Sequence, residues 1–373
     1  MDSGLANNLK GIRNRLGLSQ QQLADAAGVT RQAIGGIEAS HYAPTAAVAL
    51  RLAKALGCRV EDLFWLQENL PTIEARVAGA GMRSGARVAL AKVSGEWVAH
   101  PLTGARAFRE ELVPADGLAE PTNGNDRVAV KLLDDPELLA RTVVISGCTP
   151  ALSLWARSAE RWHPGLRVHW LHANSMAALG GLARREVHAA GCHLYDASTT
   201  EYNAPFVRQV LPGRAVTLIN LGVWEEGFLV AQDNPKRLLR VADLARPDVV
   251  LINREEGAGS RLLLDSVLRK ESLVHSEIRG YTSTVGSHQE VAAAVASGQA
   301  DIGVSTAAVA ALYGLGFVPL QHVRYDLALH SEALHYEPMR QLLGTLHHRW
   351  VRSQLEVLGG YDTTQTGEIV AEL

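Results

Sequence analysis

The stretch from Leu18 to Glu38 constrains this chain more than any other. Ser19 followed by Gln22 forms a capping box, in which the two side chains satisfy free backbone N–H groups, and predicts a helix over 20–27. Gly28 supplies the left-handed backbone of a tight turn. Thr30 caps a second helix, with Ala33, Ile34 and Ile37 on one face. Two helices this short bury too little to stand alone, so flanking helices are required. Leu5, Leu9, Ile12 and Leu16 predict one before the pair. Ala49, Leu52, Ala53 and Leu56, ended by Gly57, predict another over 44–56, and a short fifth over 61–66 closes the bundle.

A three-residue turn between helices presents the second of them to the DNA major groove, whose base edges distinguish all four base pairs. Thr30, Arg31 and Gln32 stand at the start of that helix. The run L-S-Q-Q-Q-L-A-D-A-A-G-V-T-R-Q-A-I-G-G-I-E, continued through Pro44 to Phe64, resembles the phage-repressor (XRE) type of helix-turn-helix. The resemblance implies that residues 1–66 bind a double-stranded DNA operator through Gln20, Gln21, Thr30, Arg31, Gln32 and Tyr42. Gly35-Gly36 departs from the family pattern and weakens the helix by roughly 1 kcal/mol per glycine relative to alanine. One head reads only a half-site, so a homodimer on half-sites about 34 Å apart is expected.

At 373 residues the chain needs more than one core. Its net charge of −3 divides unevenly, +2 over residues 1–66 and −5 over the rest, as expected for a DNA-binding head on a body that does not bind nucleic acid. Cys58, Cys148 and Cys192 are odd in number and form no C-x-x-C pair, so neither a disulfide framework nor a zinc site is suggested. His347-His348 and the other histidines lack metal-ligand spacing, so no metal is expected. No secretory segment is visible, and no apolar run approaches the roughly 18 residues of a membrane span. The expectation is a cytoplasmic protein without membrane contact.

Residues 67–126 carry glycines at 79, 81, 85, 95, 104, 117 and 124. Alternation over 87–93 and 96–101 about Ser94-Gly95 predicts a hairpin in a small β-containing connector, with 119–126 as a linker. His100 reads as structural. From Arg127 strands alternate with helices: strands at 142–145, 166–172, 188–192, 215–220, 249–253 and 301–304, helices at 152–161, 176–184, 260–268 and 289–296. This order predicts a mostly parallel sheet covered on both faces, over 127–358, with a surface tail at 359–373.

Ligands of such sheets bind beyond the carboxyl ends of the strands. Those ends carry Ser146, Cys148 and Thr149; Asn174 and Ser175; Arg254, Gly257, Gly259 and Ser260; and Ser305. Each is also an ordinary helix-cap type, and together they predict a polar-lined cleft. Gly257-Ala258-Gly259 lacks both the lysine of a phosphate loop and the third glycine of a dinucleotide fold, which disfavours ATP and NAD. Tyr202 and Asn203, in E-Y-N-A-P-F, read equally as a flap over a ligand or as a surface turn.

The segments S-G-C-T-P, A-G-C-H-L-Y-D-A-S-T-T-E-Y-N-A-P-F-V, I-N-R-E-E-G-A-G-S-R and A-A-V-A-S-G-Q-A-D-I-G-V resemble the periplasmic-binding-protein-like domains found beside helix-turn-helix heads. The resemblance implies two α/β lobes joined by crossing strands, here near 220–222 and 305–308, which close on a small-molecule effector. It implies an oxyanion such as molybdate or tungstate, with Ser146, Thr149 and Ser175 matching its hydroxyl donors in kind; Glu201, Glu255 and Glu256 would oppose an anion if they point inward. The expected protein is multidomain: an all-α helix-turn-helix head, a β-containing connector and a two-lobed α/β domain. It is read as a ligand-responsive transcriptional regulator without enzymatic activity or covalently bound cofactor. The rival readings are an enzyme of cofactor or metal-oxyanion biosynthesis, for which Cys148 and His193 are the candidate nucleophile and base, and a protein-interaction module.

Overall fold

Asn7 and Asn8 decide where the first helix begins. The Asn7 carboxamide oxygen accepts from Leu9 N at 3.2 Å, and Asn8 N donates to Leu63 O at 2.9 Å. Leu5–Asn7 is thereby drawn out as a strand antiparallel to Phe64–Leu66. In this computed structural model, which describes residues 5–66, 71–79, 82–103, 113–120 and 126–373, the first helix is therefore Leu9–Arg15 and not a continuation from Leu5. The fifth helix stops at Leu63 rather than reaching residue 66, and Leu16, expected to face inward, is half exposed. Gly81, Gly104, Gly124 and most of the expected linker lie outside the described residues.

The chain divides into two compact units, Met1–Pro71 and Thr72–Leu373. In the first, helices Gln20–Ala27, Arg31–Glu38 and Ala46–Leu56 pack Leu23, Ile34, Ile37 and Leu52 against Leu9 and Leu63. Ala46–Leu56 begins two residues later than expected because Thr45 is its cap. Arg13 joins two of the helices: its guanidinium reaches Glu38 at 2.6 Å and Leu18 O at 2.6 Å.

The second unit opens with five strands, Thr72–Val77, Arg87–Val93, Glu96–Pro101, Gly117–Ala119 and Arg127–Leu132, closed into a barrel. The predicted hairpin is present, with Val93 opposite Glu96 and positive φ at both Ser94 and Gly95, the turn that matches strand twist. Arg127–Leu132, read from sequence as the start of the last domain, instead closes the barrel against Thr72–Val77. The barrel is bonded to the body beside it: Arg76 donates to Arg185 O at 2.7 Å, Gly79 N to Glu186 at 3.2 Å, and Asp116 pairs with Arg167.

The body is one ten-stranded sheet. On one side Thr142–Gly147 lies parallel to Arg167–His172 and Ala189–Cys192; on the other Leu251–Arg254 lies parallel to Ile302–Thr306 and Thr284–Val285. Between them run two fifteen-residue strands, Val216–Val230 and Gly316–His330, antiparallel to each other and to their neighbours. The sheet is thus mixed, not mostly parallel, because two long crossings bind the two parallel halves into two lobes. The first crossing contains the expected 220–222 segment, where the register shifts between Asn220 and Gly222. The second is Gly316–His330, not 305–308: Thr306 accepts from Val309 N at 3.3 Å and turns the chain into helix Ala307–Leu312.

Helices Ala151–Trp162 and Ser175–Ala183 cover the first lobe, and Gly259–Lys270 and His288–Ala296 the second. Trp155, wholly buried among Val143, Ile145 and Leu327, donates its indole N–H to Thr345 at 2.9 Å. Residues 359–373 are not a surface tail. Tyr361–Asp362 and Ile369–Glu372 pair with the first crossing strand, and Thr366 donates to Leu221 O at 2.8 Å.

Candidate functional site

In the head, Ser19 and Gln22 make the predicted reciprocal cap, Gly28 takes φ 63°, and Thr30 accepts from Ala33 N at 3.1 Å. Gln21, Arg31 and Gln32 are exposed on the surface that this turn presents. Gln20 is committed elsewhere, donating to Glu38 at 2.8 Å, and Thr30 is occupied as a cap. Tyr42 donates to Ala33 O at 3.1 Å, and its ring lies where a Cβ on residue 36 would meet it at 2.4 Å. The mid-helix glycine that departs from the family pattern is therefore the seat of Tyr42.

In the body, four strand ends and both crossing strands converge on one enclosed place between the lobes. Cys148 follows Thr142–Gly147, His193 follows Ala189–Cys192, Arg254 ends its strand, and Ser305 lies near the end of Ile302–Thr306. Glu226 and Trp224 come from the first crossing, Tyr325 from the second, and His288 opens its helix. All are buried. Cys148 Sγ stands 3.2 Å from His193 Nε2, and His193 Nδ1 stands 3.1 Å from Glu226 Oε1. Ser260 donates to Glu226 at 3.2 Å, and Ser305 Oγ lies 3.1 Å from His288 Nδ1. The His193 ring stacks on Tyr325 at 20°.

Burial opposes a charge on His193, but the Glu226 carboxylate and the Cys148 sulfur outweigh it and push its pKa up to about 10. His288 goes the other way: burial, with the positive charges of Arg254 and His193, holds it well below the usual range and keeps it neutral. Arg254 forks onto Glu255 at 2.8 and 2.9 Å and donates to Gly286 O at 3.2 Å. Arg254 Nη1, Glu226 Oε2, His288 Nε2 and Trp224 Nε1 are buried without a hydrogen-bond partner. Such atoms are costly, and several at one enclosed place mark a site built to receive something.

Of the residues expected to bind ligand, Cys148, Arg254, Ser260 and Ser305 line this place directly. Thr149 is turned to Tyr361, 3.0 Å away, and Ser175 accepts from His193 N at 3.3 Å, so both support it. Gly259 allows helix Gly259–Lys270 to start against His193, since a Cβ there would meet the His193 carbonyl oxygen at 2.2 Å. Ser146 is the penultimate residue of Thr142–Gly147, buried and paired with Ala190. Asn174 caps Ser175–Ala183 and donates to Glu256 O across the cleft at 3.2 Å, while Met176 N donates to Gly257 O at 3.2 Å, so Asn174 and Gly257 latch the two lobes. Tyr202 and Asn203 are not a flap. Tyr202 donates to His322 O at 2.6 Å, and Asn203 holds Asp326 at 2.8 Å and accepts from Leu194 N at 2.7 Å. Glu226, His288, Trp224 and Tyr325 were not legible as site residues, because each sits inside a strand or helix with no motif around it.

A helical head of this geometry on two lobes joined by paired crossing strands defines a DNA-binding unit attached to a binding-protein body. Residues 156–347 match the family model described as a PBP superfamily domain, and residues 9–63 the one described as helix-turn-helix. The chain belongs to the PBP superfamily and carries an XRE-type helix-turn-helix at its N-terminus. The uncharacterized HTH-type transcriptional regulator YgzD of Bacillus subtilis (strain 168) is 42% identical over 65 residues, 17% of this chain and 98% of that one. The uncharacterized protein YvgK of the same organism is 32% identical over 201 residues, 54% of this chain. This chain spans 65% of YvgK's length. A protein from the ferredoxin 2Fe-2S gene 5' region of Clostridium pasteurianum is 34% identical over 113 residues, 30% of this chain and all of that one.

Proposed function

We propose that this chain is a cytoplasmic transcriptional regulator that binds operator DNA as a homodimer, with an affinity set by a small effector held between the lobes of its body. The observation that carries the reading is the enclosed cluster at Cys148, His193, Glu226, Arg254 and His288, in which Arg254 Nη1, Glu226 Oε2 and His288 Nε2 are buried without a hydrogen-bond partner. Closing the lobes on an effector buries it fully, and the latch from Asn174 and Met176 to residues 256 and 257 stabilises the closed form. An oxyanion such as molybdate or tungstate would find Arg254 Nη1; a cation would find Cys148 and the two histidines. Thermal unfolding against molybdate, tungstate, sulfate, phosphate and divalent metal ions tests the sensor. Effector at 100 times its Kd stabilises by about 2.7 kcal/mol. No shift with any member of the panel contradicts the reading.

One geometry favours a second reading. Cys148, His193 and Glu226 are disposed as nucleophile, base and orienting carboxylate. An acyl-transferring enzyme would hydrolyse activated esters with multiple turnovers, lost in Cys148→Ser, whereas a sensor gives no product.

A further inference from the structure

The cleft contains three metal-ligating atoms that no motif announced. We propose that Cys148 Sγ, His193 Nε2 and His288 Nε2 bind a thiophilic transition-metal ion such as zinc(II). One ligand atom from each of the three residues lies within 4.8 Å of the other two, and all three residues are buried. Ligand atoms about a tetrahedral zinc, at about 2.3 Å for sulfur and 2.0–2.1 Å for nitrogen, stand roughly 3.3–3.6 Å apart. The Cys148–His193 separation of 3.2 Å is close to that spacing, so a small approach of His288 completes the set.

The outward nitrogens make the same case. A ligating histidine ordinarily has its second ring nitrogen held by a carboxylate, carbonyl or hydroxyl, which fixes the ring and its tautomer. His193 Nδ1 faces Glu226 at 3.1 Å and His288 Nδ1 faces Ser305 at 3.1 Å. His193 thus turns Nε2 to the Cys148 sulfur, and His288 Nε2 is left free to ligate, buried with no hydrogen-bond partner. A cysteine protease arrangement would employ Cys148, His193 and Glu226 but gives His288 nothing to do.

Charge favours a cation over an oxyanion. Arg254 is neutralised by its fork onto Glu255, while Glu226 has one oxygen without a partner. A divalent ion with one thiolate and the Glu226 carboxylate sums to zero. Binding displaces to solvent whatever protons the ligand atoms carry, so metal affinity depends on pH. Three protein ligands leave the fourth position to a small donor such as water. Cys148 and His193 belong to the first lobe and His288 to the second, so the ion would tie the lobes together. This role as effector rests on the sensor reading above; the binding itself does not.

The test uses the full chain, stripped with chelator, reduced, and titrated with cobalt(II) and then zinc(II). The expected result is one cobalt per chain with a thiolate-to-cobalt charge-transfer band, displaced by zinc. Cys148→Ser should abolish the band, and His288→Gln should weaken binding at least tenfold. Glu226→Gln should weaken it 10- to 100-fold through His193. Thermal unfolding of the metal-free variants shows which are folded; should Cys148→Ser not fold, His288→Gln and Glu226→Gln carry the test. Absence of the band, or its persistence in folded Cys148→Ser, overturns the site. Metal binding without any change in operator affinity leaves the site standing and removes the sensor reading. A midpoint raised by molybdate with no cobalt band does the reverse.

Discussion

Cys148 Sγ lies 3.2 Å from His193 Nε2 although 45 residues separate them, and Glu226, on the first crossing strand, closes on the other ring nitrogen at 3.1 Å. Each residue sits at or near a strand end or register shift of a separate sheet segment, so the trio exists only when the sheet is assembled. The His193 pKa near 10 depends on that trio. In metal-free Glu226→Gln the opposing charge is lost and burial then favours the neutral ring. The imidazole titration followed by NMR should move down by more than one unit. In the native protein the contribution of this group to stability is present below its ordinary value near 6.5 and is lost as pH rises through about 10.

His188 has the opposite sign. Its Nδ1 accepts from Val144 N at 2.9 Å and its Nε2 donates to Lys92 O at 3.2 Å, fastening the barrel to the first lobe. Burial, only partly offset by the bond to Lys92, pushes its pKa down to about 4. Its stabilisation is present above pH 6.5 and is lost as pH falls toward 4, up to about 3 kcal/mol over that window. Urea unfolding of His188→Asn at a series of pH values should show a shallower acid limb, by one proton, than the native chain.

Gly36 and Tyr42 form a coupled pair in the head. Gly36→Ala should gain up to about 1 kcal/mol of helix propensity where Tyr42 is replaced by alanine, but lose that gain to overpacking where the ring is present. A double-mutant cycle by thermal denaturation should therefore give a coupling of roughly 1 kcal/mol or more.

Arg31 and Gln32 stand exposed behind the Thr30 cap, and Gln21 stands exposed on the preceding helix. Arg31→Ala should weaken operator binding, and if Arg31 contacts a phosphate it should reduce the salt dependence by about one charge. Gln32→Ala should relax base preference at one position, at a cost of about 1–3 kcal/mol. Gln20→Ala should act chiefly on stability, because its side chain is bonded to Glu38.

The head was legible in sequence because its signals are local. Ser19, Gln22, Gly28 and Thr30 act within three or four residues, and the structure uses each as read. The strand positions of the body were legible for the same reason, but their directions were not. Nothing near Val216 or Gly316 shows that these segments pair over fifteen residues, and that pairing makes the sheet mixed. The site was half legible: Cys148, Arg254, Ser260 and Ser305 follow from the rule that strand ends bind ligands. Glu226, Trp224 and Tyr325 lie within long strands and His288 in the first turn of a helix, positions where a charged or aromatic residue carries no local signature. Asn203 was misread because its side chain serves Leu194 and Asp326, a contact spanning 123 residues.

We propose that occupancy of the interlobe site sets the affinity of the head for DNA. Its most direct measurement is fluorescence anisotropy of the full chain on a labelled duplex selected from a random pool, at fixed salt, with zinc(II), with molybdate and with chelator. The effector should change Kd by about 5- to 150-fold, the range of a coupling of about 1–3 kcal/mol, and His288→Gln should abolish that change. An affinity that stays the same while thermal unfolding shows the site filled would contradict it.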